Sequence, residues 1–295
     1  MTANTPLLKL NNGVEMPALG LGVYQSPPEE TAAAVETALR DGYRLIDTAA
    51  AYRNEEQVGD GIKRSGVARD EVFVTTKLWL TDYGYDSALR AFDTSLEKLG
   101  LDRLDLYLLH QPAPLEPEPW FAAYKAAQKL LADGRVRAIG VSNHTPGLLR
   151  TLMERTDVVP SVNQVELHPY FIQRELRQVH EEFGIATQAW SPIGGITRYW
   201  ADAPNGGRSA LEEPVVTALA DKYGRTAAQI VLRWHLERGV CAIPKSVKAH
   251  RIAENFDVFD FTLTPDEVAA IDGLDTGLRS GPDPEVIRLD TFGTR

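Results

Sequence analysis

Along this chain, apolar residues gather in short runs of 5 to 7 residues. Each run is followed by a stretch in which apolar positions return at helical spacing. Eight runs read as strands: Ala18–Tyr24, Leu45–Ala49, Phe73–Trp79, Leu104–His110, Arg137–Ser142, Ser161–Leu167, Ala186–Ser191 and Val240–Ser246. The amphipathic segments are Glu29–Arg40, Glu55–Ser65, Asp86–Leu99, Trp120–Asp133, Pro146–Arg155, Gln173–Phe183 and Val215–Arg238. The last breaks at Tyr223-Gly224-Arg225, which predicts two helices. A short helix is expected over His250–Phe256. Another should start at Thr264, an N-cap with Pro265 at the first helical position and Glu267 closing a capping box.

Near-continuous apolar strands alternating with helices predict a parallel sheet covered by helices. Eight such units predict an α/β fold, a (β/α)8 TIM barrel. The competing doubly wound sheet requires G-x-G-x-x-G after the first strand. Gly20-Leu21-Gly22 is present, but position 25 is Gln. Leu7–Leu10 and Val14–Pro17, joined by Asn11-Asn12-Gly13, predict a hairpin capping the barrel bottom. Three segments break the pattern: the proline-rich Gln111–Pro119, Ile193–Ala210 with two glycine pairs, and the tail from Leu274 to Arg295. Long loops on the C-terminal face of a barrel shape active sites.

Length then changes the picture little. The 295 residues match two domains by average size, but one barrel uses about 250, so residues 1–295 are read as a single domain. The net charge of −10 argues against a nucleic-acid or anionic-membrane partner. The single Cys241 excludes an intrachain disulfide and a cysteine-based zinc site, and no metal is expected. Met1–Gly13 lacks the pattern of a signal peptide, and no apolar stretch reaches the roughly 18 residues of a membrane span. A cytoplasmic location is therefore expected.

The strand ends carry the chemistry. Asp47 closes the second strand, Lys77 lies near the end of the third and His110 ends the fourth, with Tyr52 in the turn after the second. Spacings of one βα unit should bring them together at the C-terminal face. A free tyrosine has a pKa of about 10 and is a poor proton donor at neutral pH. A neighbouring Lys⁺ favours the phenolate. A buried Lys needs a counter-ion, which Asp47 can be, and His110 can hydrogen-bond and orient a carbonyl oxygen.

Several stretches resemble the aldo-keto reductase family: Gly42–Tyr52 with Asn54-Glu55, Leu99–His110, Gly140–Asn143, Asn163–Pro169 and Ile243–Ser246. They run nearly end to end. The likeness is greatest to the bacterial branch of diketo-gluconate reductases and prostaglandin-synthase-like reductases. It implies NADPH-dependent reduction of aldehydes or ketones. Tyr52 would be the general acid, Lys77 its pKa-lowering partner, Asp47 the partner of Lys77, and His110 the carbonyl-orienting donor. The cofactor would be held by Gly22, Val23 and Tyr24 and by Ser142, Asn143 and Gln164 at the nicotinamide carboxamide. Trp190 would stack beneath the ring, where many relatives carry Tyr. Ser191, Ile193 and Gly194 would line the pyrophosphate path. Lys245, Ser246, Val247 and Arg251 would grip the adenosine 2′-phosphate, and Glu254 and Asn255 would meet the adenine.

Tyr24, Trp79, His110, Gln111, Trp120 and Trp200 are the candidate substrate walls. Aromatic walls suit an apolar or flat carbonyl compound. Gln111, where many relatives have an aromatic or apolar residue, makes one side more polar and favours a polar or sugar-like carbonyl. The partner is thus a small molecule, and the branch implies a monomer. Two other readings use the same barrel: a Schiff-base lyase through Lys77, and a non-catalytic NADPH-binding regulatory protein.

Overall fold

The computed structural model describes residues 5–194 and 209–293. The hairpin forms as β1 (Leu7–Lys9) and β2 (Glu15–Pro17), antiparallel with Leu7 opposite Pro17. Then strands and helices alternate: β3 (Leu21–Gly22), α1 (Pro28–Asp41), β4 (Leu45–Asp47), α2 (Glu55–Ser65), β5 (Phe73–Leu78), α3 (Tyr85–Leu99), β6 (Leu104–Leu109) and α4 (Pro117–Ala132). They continue as β7 (Val136–Ser142), α5 (Pro146–Met153), β8 (Val162–Glu166), α6 (Arg174–Phe183), β9 (Ala186–Trp190), α7 (Pro214–Tyr223), α8 (Ala227–Glu237), β10 (Cys241–Ala242), α9 (Ala249–Phe256) and α10 (Pro265–Asp272). β3 to β10 pair in parallel in chain order. Bridges from Leu19 to Ala242 and from Gly22 to Lys245 close the sheet on itself. This is the (β/α)8 barrel that the eight apolar runs predict.

The seam between β3 and β10 is held more by single bonds than by a ladder. Gly22 donates its N–H to Pro244 O at 3.0 Å and Ala242 donates to Ala18 O at 3.0 Å. Pro244 has no N–H to return, so the regular pairing stops there. A Cβ on Gly22 would sit 2.9 Å from Ile243 O, so the glycine lets the two strands approach. Both seam strands are therefore shorter than their apolar runs.

Period-2 alternation points Leu45 and Asp47, Phe73, Thr75 and Lys77, and Gln164 and Gln188 into the barrel. An apolar plug of Met16, Leu45, Phe73, Leu106, Leu108 and Val162 fills the lower interior, with the hairpin contributing Met16. The larger core lies between strands and helices. The barrel is thus dry below and polar above.

Two local expectations are corrected. The segment Gln111–Pro119 is not irregular throughout, because Pro117 begins α4 three residues before Trp120, a position that suits a residue without an N–H. The tail after Leu274 contains a 3₁₀ turn at Pro284–Val286 and is pinned along its length. The capping box at Thr264 and Glu267 forms as expected. The glycines at 195 and 206–207 and Trp200 lie outside the described residues.

Candidate active site

Four elements deliver the central groups. Asp47 is the last residue of β4, Lys77 lies in β5, and His110 follows β6 with its N–H bonded to Leu78 O at 3.1 Å. Tyr52 ends a 3₁₀ turn, Ala50–Tyr52, and Arg53 reverses the chain with φ 58°. Asn54 fixes that turn from below. It accepts from Thr48 Oγ1 at 3.0 Å and donates to Val23 O at 3.0 Å. Glu55 accepts from Thr76 Oγ1 at 2.6 Å, tying α2 to the strand that carries Lys77.

The four side chains converge. Lys77 Nζ donates to Asp47 Oδ2 at 2.6 Å, to Thr48 O at 2.9 Å and to Tyr52 Oη at 3.3 Å. An ammonium has three N–H groups, and each meets an acceptor. That arrangement suits a charge partner for Tyr52 and leaves no geometry for a Schiff-base nucleophile. Lys77 and Asp47 are both buried. Burial pushes the Lys77 ammonium below its ordinary range, against the opposing pull of Asp47. Burial pushes the Asp47 carboxyl up, countered by Lys77 and Gln164. The His110 ring meets Tyr52 edge-on at 5.5 Å between centroids and Trp79 at 5.0 Å. Tyr24 lies 5.1 Å from the Tyr52 ring. Tyr52, Tyr24, His110 and Trp79 thus form one aromatic wall around the hydroxyl.

A second set lies beside it. Asn143 adopts φ 62° and donates from Nδ2 to His110 O at 3.1 Å and to Ser142 Oγ at 3.2 Å. Its Oδ1 accepts from Trp190 Nε1 at 2.8 Å. Ser142 Oγ donates to Gln164 O at 2.7 Å. Gln164 Nε2 donates to Asp47 Oδ1 and to Gln188 Oε1, each at 2.7 Å. The side-chain donors of all three residues are therefore engaged, and among the described residues Gln164 Oε1 is left as an acceptor that no donor meets. That suits the amino group of a carboxamide.

Beyond β9, Ser191 (φ 48°) and Gly194 (φ 96°) make a tight turn around Ile193, held by His235 Nε2 on Pro192 O at 2.8 Å. Beyond β10, Lys245 and Arg251 are exposed and Val247 is half-buried. Among the described residues no carboxylate pairs with either cation. Ser246 Oγ accepts from Lys248 N at 3.1 Å at the start of α9. Glu254 accepts from Thr226 Oγ1 at 3.0 Å, and Asn255 is buried next to it. Gly22 and Val23 sit at the seam, where Val23 N donates to Asp47 O at 3.1 Å.

The candidate substrate walls divide. Tyr24, Trp79 and His110 are together. Gln111 follows His110 and accepts from Tyr83 Oη through its backbone oxygen. Trp120 stands apart: it is buried in the core against Phe121 and His144 and turns no face to the Tyr52 cluster. Trp200 lies outside the described residues.

Residues without a sequence-level role complete the site. Phe292 from the tail packs on Trp79 at 5.4 Å. Glu166 anchors that tail, accepting from Ser280 N at 2.9 Å, Gly281 N at 2.8 Å and His168 Nε2 at 2.9 Å. A glycine- and proline-containing tail has no periodicity to reveal this docking. Asn54-Glu55 and Glu166 stood inside recognised motifs, which was their only signal. Among the described residues no group of three His, Cys, Asp or Glu could hold a metal ion.

A family model described as the aldo/keto reductase family matches residues 17–276. The chain is 55% identical to morphine 6-dehydrogenase of Pseudomonas putida, covering 99% of both chains. It is 46% identical to glyoxal reductase of Bacillus subtilis (strain 168), covering 94% of this chain and 96% of that protein. The fold superposes with a TM-score of 0.87 on a Bombyx mori aldo-keto reductase solved in complex with NADP, 38% identical over 94% of this chain and 95% of the other.

Proposed function

The chain belongs to the aldo/keto reductase family and is an NADPH-dependent oxidoreductase that reduces aldehydes or ketones, and we propose that Tyr52, Lys77, Asp47 and His110 are the residues that carry this reaction. The observation that supports the assignment is the buried Lys77–Asp47 pair at 2.6 Å with Nζ 3.3 Å from the Tyr52 hydroxyl. Bound NADPH supplies the hydride to the carbonyl carbon. Tyr52 accepts a hydrogen bond from Lys77 and donates its own proton to the developing alkoxide, and the cation behind it stabilises the phenolate that remains. Asp47 keeps Lys77 charged and fixed. His110 orients the carbonyl oxygen, with its backbone held by Asn143.

In this reading Ser142, Asn143 and Gln164 meet the carboxamide, and Trp190 lies under the nicotinamide. Ser191, Ile193 and Gly194 follow the pyrophosphate. Lys245, Ser246 and Arg251 take the 2′-phosphate. The substrate is a small, partly polar carbonyl compound bounded by Tyr24, Trp79, Gln111 and Phe292. Two relatives named for oxidoreduction of morphine and glyoxal bracket its size. We read residues 1–295 as one domain and, as the family branch implies, as a monomer. The cytoplasmic location stays the one expected from the sequence; among the described residues no helix is long and apolar enough to cross a membrane. The net charge of −10 fits a protein without a nucleic-acid partner.

Tyr52→Phe tests the assignment. NADPH oxidation with an aldehyde should fall by roughly 10² or more, while NADPH binding and the melting temperature stay unchanged. Near-normal turnover would remove Tyr52 from the chemistry.

A further inference from the structure

Gln188 is an amide buried inside the barrel, opposite Gln164 on β8 and Cys241 on β10. An amide in that position is costly unless both its ends are satisfied. Its neighbours dictate which end goes where. Asp47 uses Oδ2 for Lys77, and its Oδ1 only accepts. Gln164 must therefore turn Nε2 toward Asp47. The second hydrogen on that nitrogen reaches Gln188 at 2.7 Å, so Gln188 must present Oε1. Its own Nε2 then faces the sulfurs of Cys241 at 3.3 Å and Met16 at 3.9 Å, both weak acceptors. One carboxylate thus sets the polarity of two amides in series.

The consequence reaches the cofactor site. With both hydrogens of Gln164 Nε2 committed, the free end of Gln164 is the acceptor Oε1. Among the described residues no donor meets it. We infer that Gln188 is a positioning residue that fixes which end of Gln164 faces the cofactor, so that the site takes a carboxamide amino group. This rests on the nicotinamide placement proposed above. An apolar side chain at 188 leaves one Gln164 hydrogen without an acceptor inside the barrel. The amide then rotates to aim that hydrogen at the pocket, where it opposes the amino group it should receive.

The test compares the wild type, Gln188→Met, Gln188→Glu and Gln164→Met. Three quantities are read: the Kd of NADPH, the Kd of 2′,5′-ADP (which carries the adenosine 2′-phosphate and lacks nicotinamide) and the melting temperature. Gln188→Met should weaken NADPH about tenfold, the worth of one mismatched hydrogen bond, with 2′,5′-ADP binding unchanged. Gln188→Glu keeps an acceptor oxygen and stays uncharged beside Asp47, so it should retain most of the NADPH affinity even if the Met variant folds poorly. Unchanged NADPH affinity in Gln188→Met overturns the inference. So does an equal loss for NADPH and 2′,5′-ADP, which marks a structural role. If Gln164→Met leaves NADPH affinity unchanged, the nicotinamide placement itself fails, and the inference with it.

Discussion

Asp47 and Asp105 are equally buried, at 2% exposure each, yet sit at opposite ends of β4 and β6, two barrel strands separated by β5. Asp47 closes β4 at the C-terminal face. Its partners are the fully buried Lys77 and the neutral Gln164. Asp105 lies near the start of β6. It accepts from Val74 N at 2.9 Å and holds Arg69 at 2.8 Å and Arg137 at 2.9 Å, whose side chains are 26% and 40% exposed. One carboxylate charges a lysine that touches a phenol. The other pins two half-solvated arginines and a backbone amide across strands. Burial and pairing are common to both, so neither marks a reactive group. The end of the strand and the next contact outward decide the role.

Removing the cation separates the two most sharply. Lys77→Met should lower carbonyl reduction by about 10³-fold, within the range of lost acid–base assistance, and should destabilise the fold by about 3–5 kcal/mol because Asp47 is left buried and unpaired. Adding Asp47→Asn should restore most of the stability and none of the activity. Urea unfolding alongside NADPH oxidation reads both. Activity restored by the double variant would show that the pair is only structural.

At the other end of the barrel, Asp105→Asn should cost about 1–3 kcal/mol, since it leaves Val74 N–H poorly served while the arginines turn to solvent. Turnover per folded molecule should be unchanged. A fall in kcat without loss of stability would erase the contrast between the two ends.

The sequence revealed one end of this comparison better than the other. Short apolar runs identified all eight strands because a strand covered on both faces has no polar alternation to hide. Asp47, Lys77 and His110 stood out because a charge at the end of such a run needs a reason. Asp105 stood in the same kind of run and passed without notice, since its partners Arg69 and Arg137 are 36 and 32 residues away. Gln188 was hidden likewise: its meaning depends on Asp47, which it reaches through the amide of Gln164. Trp120 looked like a pocket wall by position, but the helix begins at Pro117 and turns that ring into the core. Phe292 and Ser280 belong to a tail with no periodic pattern, and its docking shows only in tertiary contacts such as those of Ser280 with Glu166 and Phe292 with Trp79.

A third class of buried group sharpens the comparison through pH. His144, His180 and His235 are enclosed, and burial lowers their pKa values to about 4, about 3 and about 3. His180 Nε2 accepts from Asn163 Nδ2 at 3.0 Å while its Nδ1 donates to Thr187 Oγ1 at 2.7 Å, which requires the neutral ring. Between about pH 6.5 and about 4 the unfolded chain binds protons that these native rings refuse. Stability is therefore full above about 6.5 and falls as the pH drops toward 4, by about 1.4 kcal/mol per pH unit for each histidine. His180→Gln should reduce that slope by one histidine's share. An unaltered slope would assign the acid loss to other groups.

The smallest effect concerns the tail, which joins the reactive end from outside the barrel. Glu166 lies two residues beyond Gln164 on β8 and holds Gly281 N, and a Cβ on Gly281 would lie 2.8 Å from Trp190 Cη2 and 3.0 Å from Glu166 Oε2. The tail thus backs the ring that donates to Asn143, and Asn143 holds the backbone of His110. Gly281→Ala must move either the tail or the indole. The tail is the looser of the two, with Ser280 and Gly281 bonded to one carboxylate, so most of the shift should fall there. The KM for NADPH should rise about threefold, less than 1 kcal/mol, and kcat should hold because Tyr52, Lys77 and Asp47 are untouched. A drop in kcat with KM unchanged would mean that the strain passes through Trp190 and Asn143 into His110. The reactive end of the barrel would then extend to residue 281, whereas Asp105 at the other end has no such reach.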